Sequence, residues 1–420
     1  MNLSVLIISS ILAGDIVCGV VGDVGTTRFH SNLGRNLSVG SLRQQNIFEQ
    51  PWMSSFFNFF APFINSFNAI RRPNPGRNYT QADFTSCQDP DGLIGNCLPA
   101  TVCKSYGGRP SGSCRIAAVC CINLISKCGE KMTLNNTEWR NPPGVSSDSS
   151  CSLIIALDRD LVEQRGPTCQ VRLDFKTFAI AQPNASTSQC DTGYFQVGGV
   201  VNDVPLLCGD NDGQHMYLEA PSSKSDLLLL FKFGGSTLNP KWNITISLIP
   251  CGSDLIAPRD CLQYFVKGSN TVKSFNWKDT TGTRQLSKMN YKICFRNELV
   301  NNQRATRICY TQCTTQAGGR SFLLSGPQTG NPASKSGAIN CPHNFLLIRN
   351  GFNPLLPAAV YADRYCGGAL NPAAFEAPAV TVCSTTKDFN IIYYTNDAED
   401  SASHEDGNAG FCLVFEQILA

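Results

Sequence analysis

Twenty-one cysteines in 420 residues constrain this chain more than any other feature of its sequence. Such density is foreign to a reducing cytosol and belongs to chains whose thiols are oxidised after export. Charge points the same way by what it excludes. Charged residues make up 16% and the formal net charge is +2. No basic run or face of the kind a nucleic-acid binder needs is visible, so no nucleic-acid partner is expected. Four histidines leave little material for histidine-based catalysis.

Met1 to Gly22 reads as a signal peptide, with an uncharged apolar run from Leu3 to Ala13 and small residues near Gly22. Asp15 interrupts the run short of a membrane span, and no later segment is apolar for about 20 residues, so no transmembrane anchor is expected. Cleavage would remove Cys18 and leave twenty cysteines, an even number. Five sequons, at Asn36, Asn78, Asn135, Asn184 and Asn243, fit a secreted glycoprotein. Residues 23–86 carry no cysteine and read as a flexible linker or propeptide-like segment. Within it, Pro51 to Phe67 holds seven large aromatics in seventeen residues.

Residues 87–121 place six cysteines, Cys87, Cys97, Cys103, Cys114, Cys120 and Cys121, in thirty-five residues. So short a segment cannot build a sufficient apolar core, and three disulfides at roughly 2–4 kcal/mol each would stabilise it instead. Asp89-Pro-Asp-Gly92 and Tyr106-Gly-Gly-Arg-Pro110 are turn sequences between them. The terminal Cys120-Cys121 pair makes the unit resemble the clip domain of arthropod extracellular proteins. That resemblance implies the pairings Cys87–Cys120, Cys97–Cys114 and Cys103–Cys121.

From residue 128 the pattern becomes one of strands. Val171, Leu173 and Phe175 alternate with polar residues, as do Ile244, Ile246 and Leu248, while Leu227 to Phe233 is nearly continuously apolar. Period-two runs separated by Gly, Pro, Asn and Asp predict an all-β chain of β-sandwiches. Cys128-Gly129, Asn141-Pro-Pro-Gly144, Val171 to Phe178, Tyr194-Phe-Gln-Val197 and Cys208-Gly209 make 128–251 resemble a CUB domain, an extracellular jelly-roll sandwich. The resemblance implies Cys128–Cys151 and Cys190–Cys208. Cys169 and Cys251 are then left over at ends of predicted strands, and are expected to pair with each other.

Residues 256–420 resemble a second, diverged and enlarged CUB-like domain, through Tyr291 to Arg296, Phe345-Leu-Leu-Ile348, Asp363-Arg-Tyr-Cys-Gly367 and Gly410 to Phe415. This implies Cys261–Cys294 and Cys341–Cys366. Cys309, Cys313, Cys383 and Cys412 remain, with three connectivities open. Together these resemblances describe an arthropod-type secreted CUB domain protein with an N-terminal clip-like unit.

Chemistry is sparse. Many CUB domains hold calcium through carboxylates, and calcium needs several hard oxygen ligands. The family's acidic position three residues after the third cysteine is Gly193 here, and Asn344 in the second domain. Asp397 or Asp400 could contribute, but the acidic set is incomplete, so no cofactor is expected. Asp210-Asn-Asp-Gly213 opens like an EF-hand loop but has Pro221 at the twelfth position, and reads as a tight turn. Neither a serine-protease nor a zinc-peptidase motif is present. His30, His215, His343 and His404 read as surface or turn residues. Carboxylates pair only as neighbours, Glu399-Asp400 and Glu405-Asp406, in a polar loop.

The sequence therefore predicts a secreted, non-enzymatic binding protein that meets an extracellular protein or glycan through sandwich loops. Candidate loops are Asn202 to Pro205, Asp210 to Gly213, Gln328 to Gly337 and Asn396 to Gly410. The alternative is a catalytically silent regulator of an extracellular serine protease cascade, which would make a serine protease the partner.

Overall fold

A computed structural model describes residues 85–419 apart from 145–148, 158–166, 222–224, 235–238, 298, 301–302, 327–331 and 398–406. Met1 to Gly22, the aromatic run from Pro51 to Phe67, Asn36, Asn78, His30 and His404 lie outside the described residues. The described chain is almost entirely β-structure.

The first elements are β1 (Ser86–Gln88), β2 (Ile94–Leu98), helix α1 (Ala100–Ser105), β3 (Arg109–Arg115) and β4 (Ala118–Ile125). Asp89 makes the turn after β1: its Oδ1 accepts the Asp91 and Leu93 amides at 3.0 and 2.8 Å. Disulfides Cys87–Cys120, Cys97–Cys114 and Cys103–Cys121 tie the elements together. Two details differ from the sequence reading of this end. Thr85 and Ser86 belong to the unit and not to a linker, since Ser86 pairs with Asn96 and the Thr85 carbonyl accepts the Cys97 amide. β4 also runs on past the last cysteine pair into the next sheet.

Next come β5 (Glu130–Met132), β6 (Thr137–Arg140), β7 (Ser150–Ile155), β8 (Thr168–Ala179), β9 (Tyr194–Gly198), β10 (His215–Glu219), β11 (Leu227–Lys232) and β12 (Lys241–Pro250). One sheet runs β1-β2-β4-β6-β12-β8-β10, with β3 on β4; the facing sheet runs β5-β7-β11-β9. β4 joins β6 in parallel through Asn123, Leu124 and Ile125, so the cysteine-rich unit covers what would otherwise be an open sheet edge. Between the sheets Trp139, Phe175, Phe178, Phe195, Phe231 and Trp242 are buried. Phe231 lies at their centre, 4.4 Å from Trp242, 4.8 Å from Phe195 and 5.3 Å from Trp139 between ring centroids. The alternations at Val171/Leu173/Phe175 and Ile244/Ile246/Leu248 point inward. β11, read as a nearly continuous apolar run suited to a sandwich core, is buried on one face only. Leu227, Leu229 and Phe231 face the core, while Leu228 is 40% exposed, because only one face of this sheet is covered.

The last elements are β13 (Cys261–Phe265), β14 (Ser269–Lys273), β15 (Asn290–Phe295), β16 (Leu299–Val300), β17 (Gln303–Arg304), β18 (Arg307–Gln312), β19 (Phe322–Leu323), β20 (Ser334–Ser336), β21 (Phe345–Phe352), β22 (Tyr361–Gly367), β23 (Val382–Ser384), β24 (Asn390–Tyr394) and β25 (Gly410–Ile418). Their main sheet runs β13-β15-β24-β21-β23-β18-β25-β14, with β22 on β21, β20 on β22 and β19 on β25. β21 is the corner: it lies on β24 through Phe345 to Leu347, shifts register before Gly351, and meets β23 at Phe352–Cys383. The curl encloses Phe275, Tyr291, Ile293, Leu346, Ile391, Phe411 and Phe415. The four cysteines that the sequence left open pair as Cys309–Cys383 and Cys313–Cys412. The former joins β18 to β23 at directly opposite positions.

Candidate functional site

The two sandwiches meet where edge strand β10 faces β13, and the contact is built mainly from polar side chains with few alternatives to pairing. Gln214, His215 and Gln263 are 5%, 7% and 1% exposed. Gln263 Nε2 donates to Gln214 Oε1 at 3.0 Å and to the His215 carbonyl at 3.2 Å. Gln214 Nε2 in turn donates to the Ser274 carbonyl at 2.8 Å. The Tyr264 amide donates to His215 Nε2 at 3.1 Å, and the imidazole packs 4.9 Å from the Phe265 ring. Burial, followed by the nearby Arg172 charge, pushes His215 down to about 4, so the ring is neutral and can accept that proton.

A second row of bonds runs through the turn after Cys208. Asn276 donates its amide to Asn211 Oδ1 and accepts the Asp210 amide on Oδ1, both at 2.8 Å; its Nδ2 donates to the Arg284 carbonyl at 2.8 Å. Asn276 adopts φ 63°, a left-handed conformation that asparagine tolerates better than most residues. Gly209 must be glycine here, since its φ is +74° and a Cβ would sit 1.9 Å from Asn276 Oδ1. The connection between sandwiches is clamped too: Gln170 donates to the Ala257 carbonyl at 2.9 Å and accepts its amide at 2.8 Å. Tyr217, Ile249, Ala257, Cys261, Tyr264 and Cys294 form an apolar cluster beside this linker. Arg172 forks onto Asp174 at 2.8 and 2.6 Å and donates to the Tyr217 hydroxyl at 2.8 Å. This network, in which the buried Gln263 Oε1 alone of the Gln263 side-chain atoms has no partner, fixes register between the halves.

This corrects two expectations. His215 is not a surface or turn histidine; it is a strand residue buried at the seam. Asp210 to Gly213 is a turn, but it is spent on the second sandwich and is not a free binding loop. Asn202 is likewise structural, donating to the Tyr217 carbonyl and accepting the Glu219 amide. Of Gln328 to Gly337, residues 332–337 are described, and Ser334 and Ser336 are buried in β20. Of Asn396 to Gly410, only 396–397 and 407–410 are described. His343 is exposed.

In the middle region the disulfides are Cys128–Cys151, Cys169–Cys251 and Cys190–Cys208; in the last they include Cys261–Cys294 and Cys341–Cys366. All twenty cysteines among the described residues are therefore oxidised. Asn184 is exposed and its Oδ1 accepts the Ser186 amide, whereas Asn135 and Asn243 are half-buried. Asn135 Oδ1 accepts the Leu248 amide at 2.7 Å.

The residues at the family's calcium position do not fit a cation. Gly193 offers no ligand. Asn344 is 0% exposed, its Oδ1 accepts the Asn396 amide at 3.0 Å, and its unpartnered Nδ2 is a donor. Among the described residues no three His, Cys, Asp or Glu side chains gather to hold a metal, and no helix is long and apolar enough to cross a membrane.

Paired sheets curled around a buried core and braced by disulfides define an all-β sandwich architecture. Residues 258–418 match the sequence model of the animal CUB domain. CUB domains typically mediate protein interactions and are generally non-catalytic. Comparison with curated proteins gives no significant match. Among solved structures, the CUB1-EGF-CUB2 domains of rat MASP-1 align over 70% of this chain and 100% of that chain at 10% identity, TM-score 0.22. The corresponding domain of human MASP-1/3 aligns over 66% and 98% at 11% identity, TM-score 0.21.

Proposed function

We propose that the chain is a secreted, non-enzymatic binding protein that uses CUB-like β-sandwich domains to engage an extracellular protein or glycan. The observation that supports it most is the animal CUB domain over residues 258–418. Ten disulfides suit an oxidising compartment, and the polar seam holds the two sandwiches in one arrangement, so loops at their ends are offered at fixed spacing. The reading takes 128–251 as the first CUB-like domain, 87–121 as a clip-like unit, Met1 to Gly22 as the export signal, and Asn36, Asn78, Asn135, Asn184 and Asn243 as glycan acceptors. Expression of the full chain in secretory cells tests it. The protein is expected in the medium, without free thiols after residue 87, and with a mass that falls on enzymatic deglycosylation. Retention inside the cell with reduced cysteines would overturn the reading.

A second reading is a catalytically silent accessory of an extracellular serine protease cascade. The six-cysteine unit with its terminal Cys120-Cys121 pair favours it. Purified chain added to a serine protease zymogen and its activator should then change the activation rate; an unchanged rate leaves the first reading alone.

A further inference from the structure

From Gly351 to Ala362 the chain carries no charged residue, and Leu355 to Tyr361 stand in water. This stretch is the turn between β21 and β22. Four large apolar side chains within it are exposed: Leu355 at 83%, Tyr361 at 61%, Leu356 at 46% and Val360 at 45%. Leucines exposed singly are ordinary, but a contiguous apolar projection marks a surface that something covers.

The projection is built in advance. At its base Phe352 pairs with Tyr361 across the strands, with ring centroids 5.6 Å apart. The Asn350 amide donates to Asp363 Oδ1 at 2.7 Å, and the Tyr365 hydroxyl donates to the Ala362 carbonyl at 3.0 Å. Gly351 permits this close approach, since a Cβ there would lie 2.2 Å from the Tyr365 hydroxyl. Phe352 also pairs with Cys383 of β23, itself tied to Cys309.

The backbone of the leading limb is chemically dry. Pro354 and Pro357 have no N–H. The Leu355 amide donates to Asn353 Oδ1 at 3.0 Å, and the Leu356 amide to the Asn353 carbonyl at 3.4 Å. Residues 354–357 therefore present no unbonded N–H. Water or a polar partner would satisfy such a group, whereas hydrocarbon cannot, and each one left free there is costly. The side chains agree. Leucine and valine partition favourably into lipid, while protein hot spots favour Trp, Tyr and Arg and are poor in Leu and Val. Tyr361 at the base joins an apolar ring to a polar tip, the combination that suits the boundary between hydrocarbon and water. The first charges met on the two limbs, Arg349 and Asp363, are both exposed and opposite in sign, so the rim favours no charged surface.

We propose that the β21–β22 turn inserts its aliphatic tip into the outer layer of a lipid membrane. This goes beyond the protein-or-glycan reading and does not depend on it. Such binding scales with the apolar area buried among the lipid chains.

The test uses the full-length chain and vesicles of phosphatidylcholine alone. Wild type should cosediment with them. Raising the salt from about 0.1 to about 1 M, which shortens the Debye length from about 10 to about 3 Å, should change the affinity less than twofold. Leu355→Ser/Leu356→Ser should bind at least tenfold more weakly, while Leu355→Phe/Leu356→Phe and Leu255→Ser, the latter on the exposed linker, stay within twofold. The added indole of Leu355→Trp should be quenched by brominated acyl chains, which reads insertion of this turn directly. Binding that survives the double serine variant, with the Leu355→Trp indole unquenched, overturns the proposal and places the contact elsewhere on the chain. Binding that needs phosphatidylserine and disappears in high salt overturns insertion in favour of charge adsorption. No vesicle binding by wild type overturns the lipid assignment; concentration-dependent association that the double serine variant abolishes would then give the turn to a second copy of the chain.

Discussion

His215 Nε2 accepts the Tyr264 backbone proton at 3.1 Å across the seam between the two sandwiches. The same nitrogen lies 3.0 Å from the Tyr264 carbonyl, to which it donates when protonated; desolvation and Arg172 disfavour the imidazolium, while Asp174 and that carbonyl oppose them only partly. The ring is thus neutral at neutral pH, and Nε2 accepts the Tyr264 amide in the tautomer that carries its proton on Nδ1.

Stability should consequently fall as acid approaches. His215 binds its proton at about 4 in the folded chain, against the usual 6.5 when unfolded. Between those values the unfolded state holds more protons, so stability is lost as pH drops from 6.5 to 4 and levels off below. The separation corresponds to roughly 3 kcal/mol from this residue. Urea midpoints of wild type and His215→Gln, taken from pH 7 to pH 4, should diverge in slope over that window. Parallel curves would rule His215 out as the source.

Gly209→Ala should loosen the seam without touching either core. The added methyl meets Asn276 Oδ1 and forces the turn off its left-handed φ. Asn276→Ala acts from the other side, leaving the Asp210 amide and Arg284 carbonyl without this partner, a cost of about 1–3 kcal/mol for each group that stays buried and unpaired. Faster limited proteolysis in the linker at 251–260, with near-UV circular dichroism retained, is the expected signature. Unchanged cleavage would mean that the linker clamp at Gln170 suffices alone.

Phe231→Ala should be the more damaging core change. It empties the centre of a cluster that includes Trp139, Phe178, Phe195 and Trp242, and costs about 3–5 kcal/mol. Leu228→Ala, three residues upstream on the same strand and 40% exposed, should cost much less. Denaturation midpoints of the two variants check the contrast.

That contrast also marks what the sequence can carry. Alternation at Val171, Leu173 and Phe175 is a local signal, and the same side chains line the core. The seam has no such signal. Asn211, Gln214, Gln263 and Asn276 carry the composition of turns, and only docking of one sandwich on the other buries them. His215 looked like a turn residue for that reason, beside Gly213. Continuation of β4 into the neighbouring sheet was hidden similarly, because Asn123 to Ile125 gains its meaning from β6. The animal CUB match falls on residues 258–418, the segment that the sequence reads as the more diverged of the two.

Calcium should leave the protein's melting temperature unchanged. The position where the family places an acid presents, in the second sandwich, an amide whose oxygen is committed to Asn396 and whose unpartnered NH2 would repel a cation. Thermal melts with millimolar calcium and with chelator should coincide. A calcium-dependent rise would require ligands from elsewhere. Asn344→Asp then gives the converse experiment, since a carboxylate at that buried position should either create calcium dependence or destabilise the fold through an unpaired charge.

Removing Cys313–Cys412 should cost stability and loosen one loop selectively. The bond closes a loop with a sequence separation of 99, for which the chain-entropy estimate is about 4.7 kcal/mol. It also ties the loop carrying Gly318 and Arg320 to β25. Cys313→Ser/Cys412→Ser should therefore lower the denaturation midpoint and, under conditions where the variant is still folded, speed limited proteolysis near residues 314–320. Cys309→Ser/Cys383→Ser, which removes the bond between β18 and β23, should lower stability while leaving cleavage near 314–320 within twofold. Equal acceleration in both variants would show that cleavage tracks overall stability and not the local anchoring of that loop.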